Sequence, residues 1–138
     1  MFNKIMTPVD LAHKGDLQKA LACAADLAKH YGAEVVYVGV TAAAPSSTAH
    51  NPEEFDAKLK AFAEAQGSEN GIKVSSKTQV CHDPSTDVDD AIIKAAKDTG
   101  ADLVIMASHV PSVLDIIWPS NGGSVAEHVD CSVMVVRS

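Results

Sequence analysis

Apolar residues fall along this chain in runs of two kinds, and their order predicts five strands separated by four helices. Ile5, Met6, Pro8 and Val9 form a short apolar run that stops at Asp10 and reads as a buried strand. The proline near its end predicts that pairing stops there. After a turn through His13, Lys14 and Gly15, residues Leu17, Ala20, Leu21, Ala24, Leu27, Ala28 and Tyr31 recur at helical spacing. Gly32 then stands where a left-handed cap would end that helix. Val35 to Val40 is apolar on both faces, as a parallel strand covered by helices should be.

Thr41 to His50 is a small-residue polar loop, and Asn51-Pro52-Glu53-Glu54 supplies a cap, a first-turn proline and an acidic first turn in that order. Phe55, Leu59 and Phe62 place one apolar stripe on the helix that follows, which closes between Gly67 and Gly71. Lys73 to Val80 alternates polar and apolar residues, the pattern of a strand near the sheet edge with one wetter side. Ser85 to Asp87 predicts the cap of a third helix carrying Val88, Ala91, Ile92 and Ala95 and ended by Gly100. Leu103 to Met106 is the fourth strand. A long loop and a short helix that opens with two glycines lead to the fifth, Val133 to Val136.

Strands and helices in strict alternation imply an α/β fold: one doubly wound domain over residues 1–138, with a five-stranded, mostly parallel sheet and helices on both faces. In such a sheet the ligand crevice lies where the winding reverses, at the carboxyl ends of the two central strands. The loop between the fourth strand and the two-glycine helix ends at a helix start, where anions are favoured. No internal repeat, linker or low-complexity tract divides the chain.

Composition narrows the function classes. The formal net charge of -7 argues against a nucleic-acid surface, whose affinity comes from clustered Lys and Arg. No apolar run approaches the ~20 residues of a membrane span. The first residues lack the apolar stretch of a signal peptide, so a cytoplasmic location is expected. Cys23, Cys81 and Cys131 are odd in number and widely spaced, which indicates reduced thiols rather than a disulfide framework or a structural zinc site.

Four stretches carry a resemblance. They are Thr7-Pro8-Val9-Asp10, Ala101 to His109 (ADLVIMASH), Ser120-Asn121, and His128 to Val136 (HVDCSVMVV). Together they resemble the universal stress protein family over essentially the full length. Periodicity alone also allows flavodoxin-like or receiver-type domains. Receivers fit less well, because only Asp10 follows the first strand and the third ends Cys81-His82-Asp83.

The resemblance implies an adenine nucleotide alpha hydrolase-like domain that binds an adenine nucleotide (AMP or ATP, with or without Mg) between strands 1 and 4. It implies a binding set of Pro8, Val9, Asp10, Val40, Met106, Ala107, Ser108, His109, Ser120, Asn121 and Gly122. It also implies a homodimer paired through the last strand, Ser132 to Val136, which would otherwise be an apolar exposed edge. In the family's nucleotide-binding branch the loop after strand 4 carries three glycines. Here those positions fall on Ala107, Val110 and Pro119, although some members similar to this chain also start the loop with Ala-Ser-His.

The loop chemistry points to a modest ligand. Proline has no N–H to offer a phosphate, and Ala107 to Ser124 contains no Lys or Arg while Asp115 adds a negative charge. A triphosphate would have to rely on helix amides, His109, Lys14 and a metal ion. An AMP-like ligand or adenosine asks less.

Plainer readings stand beside these. Asp10 would cap the following turn through an Asx interaction. His109 would be a solvated loop residue, and Trp118 a hydrophobic anchor or a contact with a partner subunit. Cys131 would be a small buried residue. His13, His82, His109 and Asp10 would share the carboxyl edge, yet no metal-ligand spacing links them. No Ser-His-Asp or Cys-His arrangement supports catalysis. The readings are therefore a nucleotide-binding regulatory module, a dimeric protein-interaction module without nucleotide, and a weak nucleotide hydrolase using Asp10, Ser108, Ser120 and a metal ion.

Overall fold

In the computed structural model, which describes residues 1–45, 49–82, 84–107 and 122–137, the five strands are β1 (Lys4–Pro8), β2 (Glu34–Ala42), β3 (Val74–Cys81), β4 (Leu103–Ala107) and β5 (Ser132–Val136). The helices are α1 (Gln18–Tyr31), α2 (Pro52–Asn70), α3 (Pro84–Thr99) and α4 (Gly122–His128). The sheet order is β3-β2-β1-β4-β5 and every described pairing is parallel. From β1 the chain steps outward to β2 and β3, then crosses back to lay β4 on the other side of β1. The winding therefore reverses between β1 and β4, the two strands that the resemblance implies.

Side chains alternate across each strand, so two cores form. Ile5, Val9, Val35, Tyr37, Leu103 and Ile105 pack under α1 and α2, through Leu21, Ala24 and Ala28 and through Phe55, Leu59 and Ala63. Met6, Val36, Val38, Val104 and Met106 pack on the opposite face under α3 and α4, through Val88, Ile92, Ala95 and Val125. The alanines on α1 let it lie close to the sheet. On β2 the same closeness is bought by Gly39, where a β-carbon would fall 2.6 Å from Phe55 Cε1.

Several boundaries differ from the sequence reading. His13 to Gly15 is no open turn; the backbone from Leu11 to Leu17 winds as a 3-10 helix that leads directly into α1. Gly67 does not end α2. The helix runs on to Asn70 and is capped by Gly71 at φ 65°, while Gly67 allows Val74 to approach where a β-carbon would lie 2.8 Å from its Cγ2. Helix α3 begins at Pro84, ahead of the predicted cap, and β5 starts one residue early at Ser132. Gly32 and Gly100 take the predicted left-handed conformation, at φ 66° and 69°.

Pairing of β1 also continues past the predicted stop. Pro8 is in register with Val38, and the N–H of Val9 donates to Val38 O at 2.8 Å. Successive residues of a parallel strand turn their N–H groups to opposite neighbours, so the donor that Pro8 lacks would have faced β4. On that side there is no ladder left to serve.

Candidate functional site

The two central strands are joined only at their amino ends. Their register covers Ile5↔Leu103 and Met6↔Val104, whereas β1 stays with β2 through Pro8↔Val38 and β4 stays with β5 through Ala107↔Val136. Beyond Met6 and Val104, β1 and β4 share no paired positions, while each keeps register with its outer neighbour. The amino side is fastened by Asp102, whose carboxylate accepts the N–H groups of Asn3 at 2.8 Å and Lys4 at 3.1 Å. Its own N–H donates to Lys4 O at 3.0 Å.

The sequence-predicted site residues separate by face. Met106 is a core residue on the α3/α4 side, Val40 packs against the same core, and strand alternation puts Pro8 with Met6 on that face. Pro8, Val40 and Met106 thus form one apolar surface around the carboxyl ends of β1, β2 and β4. Val9 and Ala107 go to the other side: Val9 is buried in the core under α1 and α2, and Ala107 packs against it. Only their backbone groups remain for a ligand on the Met106 face. Gly122 opens α4, and Val125 one turn later is fully buried against the Met106 core.

Asp10 follows the end of β1 with extended backbone (φ -104°, ψ 105°), and its Oδ1 accepts the N–H of Ala12 at 2.9 Å. The Asx cap read from the sequence is therefore made, at the start of the 3-10 helix. Lys14, on that 3-10 helix, lines a groove with Leu11, Lys58, Ala61 and Phe62 between the 3-10 helix and α2.

Ser108, His109, Val110, Trp118, Pro119, Ser120 and Asn121 lie outside the described residues, as does the side chain of His13. Of Asp10, His13, His82 and His109, which no metal-ligand spacing links, only the side chains of Asp10 and His82 are among those described. Among the described residues no group of three or more His, Cys, Asp or Glu side chains is arranged to hold a metal ion, and no helix is long and apolar enough to cross a membrane.

Cys131 lines a groove at the amino edge with Lys97, Gly100 and Asp102; burial pushes its thiol up, and the charges of Asp102 and Asp130 add to that. The expected binding set leaves out Thr7, whose hydroxyl is buried without a hydrogen-bond partner at the point where β1 leaves β4. The one signal for it was a polar residue inside an otherwise apolar run.

Against known proteins, residues 1–137 match the universal stress protein family. The chain is 29% identical to Universal stress protein G of Shigella flexneri over 148 residues, spanning 99% of this chain and 100% of the relative. A universal stress protein solved in complex with cAMP has a TM-score of 0.70 at 15% identity, covering 98% of this chain and 97% of that one. An Arabidopsis thaliana member of the family solved with AMP bound has a TM-score of 0.64 at 15% identity, covering 98% and 91%. At these identities the structural likeness speaks for the fold.

Proposed function

The chain belongs to the universal stress protein family, and from that premise we propose that it is a binding and regulatory module whose crevice between β1 and β4 takes an adenine nucleotide, AMP-like rather than tightly held ATP. One observation carries the reading: the β1–β4 ladder stops at Met6 and Val104, and Pro8, Val40 and Met106 lie on one face of the sheet at the carboxyl ends of their strands. A flat purine suits an apolar surface of that kind. Relatives of the same fold solved with cAMP and with AMP support the choice of base.

Charge supports the smaller ligand. With no Lys or Arg from Ala107 to Ser124, additional phosphates would meet amides and no side-chain cation there. Asp10 is assigned to the ribose or adenine, and magnesium enters as a variable to be tested. The module would act as a homodimer through β5, which forms the sheet edge with Met134 and Val135 39% and 42% exposed. An apolar edge of that kind calls for cover.

Calorimetry with adenosine, AMP, ADP and ATP, with and without magnesium, tests the reading. Heat for AMP, abolished in Asp10→Ala and in Val40→Phe, is the expected result; Asp10→Asn keeps the Asx cap and serves as the folding control. Silence for every nucleotide would sink it. That outcome would favour a protein-interaction module, a reading supported by Ala107, Val110 and Pro119 at the family's glycine positions. Sedimentation tests the dimer separately.

A further inference from the structure

We infer that β3 is a docking edge for an extended segment of another protein, which joins the five-stranded sheet as a further strand. β3 closes the sheet on the side away from β5. All eight of its residues keep unbroken parallel register with β2, from Val35↔Val74 to Ala42↔Cys81. Proteins blunt a free edge with prolines, bulges, short strands or charged side chains. β3 has no proline and no bulge, and Lys77 is its one charge.

Strand phase fixes which groups are on offer. The N–H of Val35 donates to Lys73 O, so odd-numbered residues along β3 turn their backbone to β2. The N–H and C=O groups of Val74, Ser76, Thr78 and Val80 therefore face outward. Among the described residues, no backbone bond outside the helices and strands reaches them. Their side chains lie on the α2 face, where Val74 packs against the core and Thr78 Oγ1 donates to Asp56 Oδ1 at 2.8 Å. Val80 is 53% exposed. Beside them α2 and β3 form a groove of about 400 Å³ lined by Asp56, Lys60, Ala63 and Glu64. When a peptide adds to an edge, main-chain bonds give affinity and pockets for alternate side chains give specificity.

Charge selects the occupant. A second copy of the chain would lie antiparallel across a two-fold axis, with residues of the same phase directly opposite. Two registers then give long overlap. One sets Lys77 against Lys77 of the copy, like charges face to face. The other centres on Thr78 and draws together the two Asp56 carboxylates bonded to it. Both repel. A foreign segment with an acidic residue across from Lys77 meets neither penalty. A basic residue across from Ser76 suits the groove, where Asp56 and Glu64 outweigh Lys60. Uncharged β-branched residues suit the remaining positions.

The probe is the capped peptide acetyl-Val-Thr-Thr-Glu-Arg-Thr-Val-amide, titrated into the full chain while amide hydrogen exchange is followed residue by residue by NMR. Laid antiparallel to β3, its first residue faces Val80, its Glu faces Lys77 and its Arg faces Ser76. The amides of Ser76, Thr78 and Val80 should exchange fast in the free protein and slow with peptide. Those of Ser75, Lys77 and Gln79 should be slow throughout. N-methylation of the Arg amide, which turns toward β3, should abolish binding, whereas N-methylation of the Glu amide, which turns to solvent, should not. Lys77→Glu should weaken the peptide roughly fivefold, and a peptide with Lys in place of Glu should recover that loss. Ser76→Pro removes one outward N–H and spares the β2 ladder, so it should bind roughly tenfold less tightly. Circular dichroism confirms that each variant is folded. No binding at millimolar peptide, binding without slowing at the three outward amides, or equal affinity of the two N-methyl peptides would overturn the inference. Slowing of those amides by protein concentration alone would give the edge to a second copy and overturn it as well.

Discussion

Thr7 of β1 and Tyr37 of β2 occupy the same register position on neighbouring strands, and neither hydroxyl has a hydrogen-bond partner although both side chains are buried. Strand alternation puts both on the face covered by α1 and α2, where the Tyr37 ring meets Phe62 edge-on at 5.5 Å. A buried hydroxyl without a partner keeps its desolvation cost and gains nothing in return. Removing it should therefore be neutral or stabilising. Urea denaturation of Thr7→Val and Tyr37→Phe at neutral pH checks this. A loss of more than about 1 kcal/mol in either variant would mean that the hydroxyls hold a buried water between them.

Tyr37 also makes an alkaline prediction. Burial pushes its phenol from 10.0 up to about 12. The folded state thus keeps its proton where the unfolded state has lost it. Its contribution is fully present below pH 10.0 and is lost as pH rises from there through about 12. Denaturation of the wild type should show stability falling over that window, and Tyr37→Phe should fall less steeply.

Gly39→Ala should destabilise the fold by roughly 1–3 kcal/mol, because the new methyl group would meet Phe55 at 2.6 Å and Leu59 Cδ2 at 3.2 Å. Adding Phe55→Leu should recover part of that loss. An unchanged denaturation midpoint in Gly39→Ala would show that α2 can lift from β2 at little cost.

The start of α2 offers a separate test. Asn51 Oδ1 accepts the N–H of Glu54 at 2.7 Å, so Asn51→Ala should cost about 1 kcal/mol, read as a shift in urea midpoint. The N–H of His50 donates to the Glu54 carboxylate at 3.1 Å and holds it below the ordinary carboxylate value. A depressed carboxyl group stabilises above its unfolded pKa, and that contribution fades as pH falls from 4.5 through the folded value. Glu54→Gln should accordingly narrow its stability gap to wild type on acidification.

Much of the fold was legible because its signals are local. The both-faced apolar run of β2, the glycines at 32 and 100, and the Asn-Pro-Glu-Glu start of α2 each act within a few residues. Gly67 misled because it resembles a helix stop, while its use is to admit Val74 from another element. Pro8 misled for a related reason: which neighbour a strand N–H faces depends on register. The apolar residues of the site could be named, but their division into two faces needed the phase of each strand. The meeting of Cys23 with Met134 has no local signature at all, since it depends on where α1 crosses the sheet edge.

The Asp102 carboxylate on the amides of Asn3 and Lys4 has a consequence for how the chain is made. The central strand β1 leaves the ribosome well before β4, and its second neighbour exists only after residues 102–104 have been synthesised. Until then β1 can pair with β2 alone, and the middle of the future sheet is a free edge. Two ladder positions and one carboxylate must then seal it across nearly a hundred residues of separation, a late and non-local step of the kind that slows folding. Chaperone need during synthesis should therefore peak while α3 is emerging, and subside once Asp102 reaches the amides of Asn3 and Lys4.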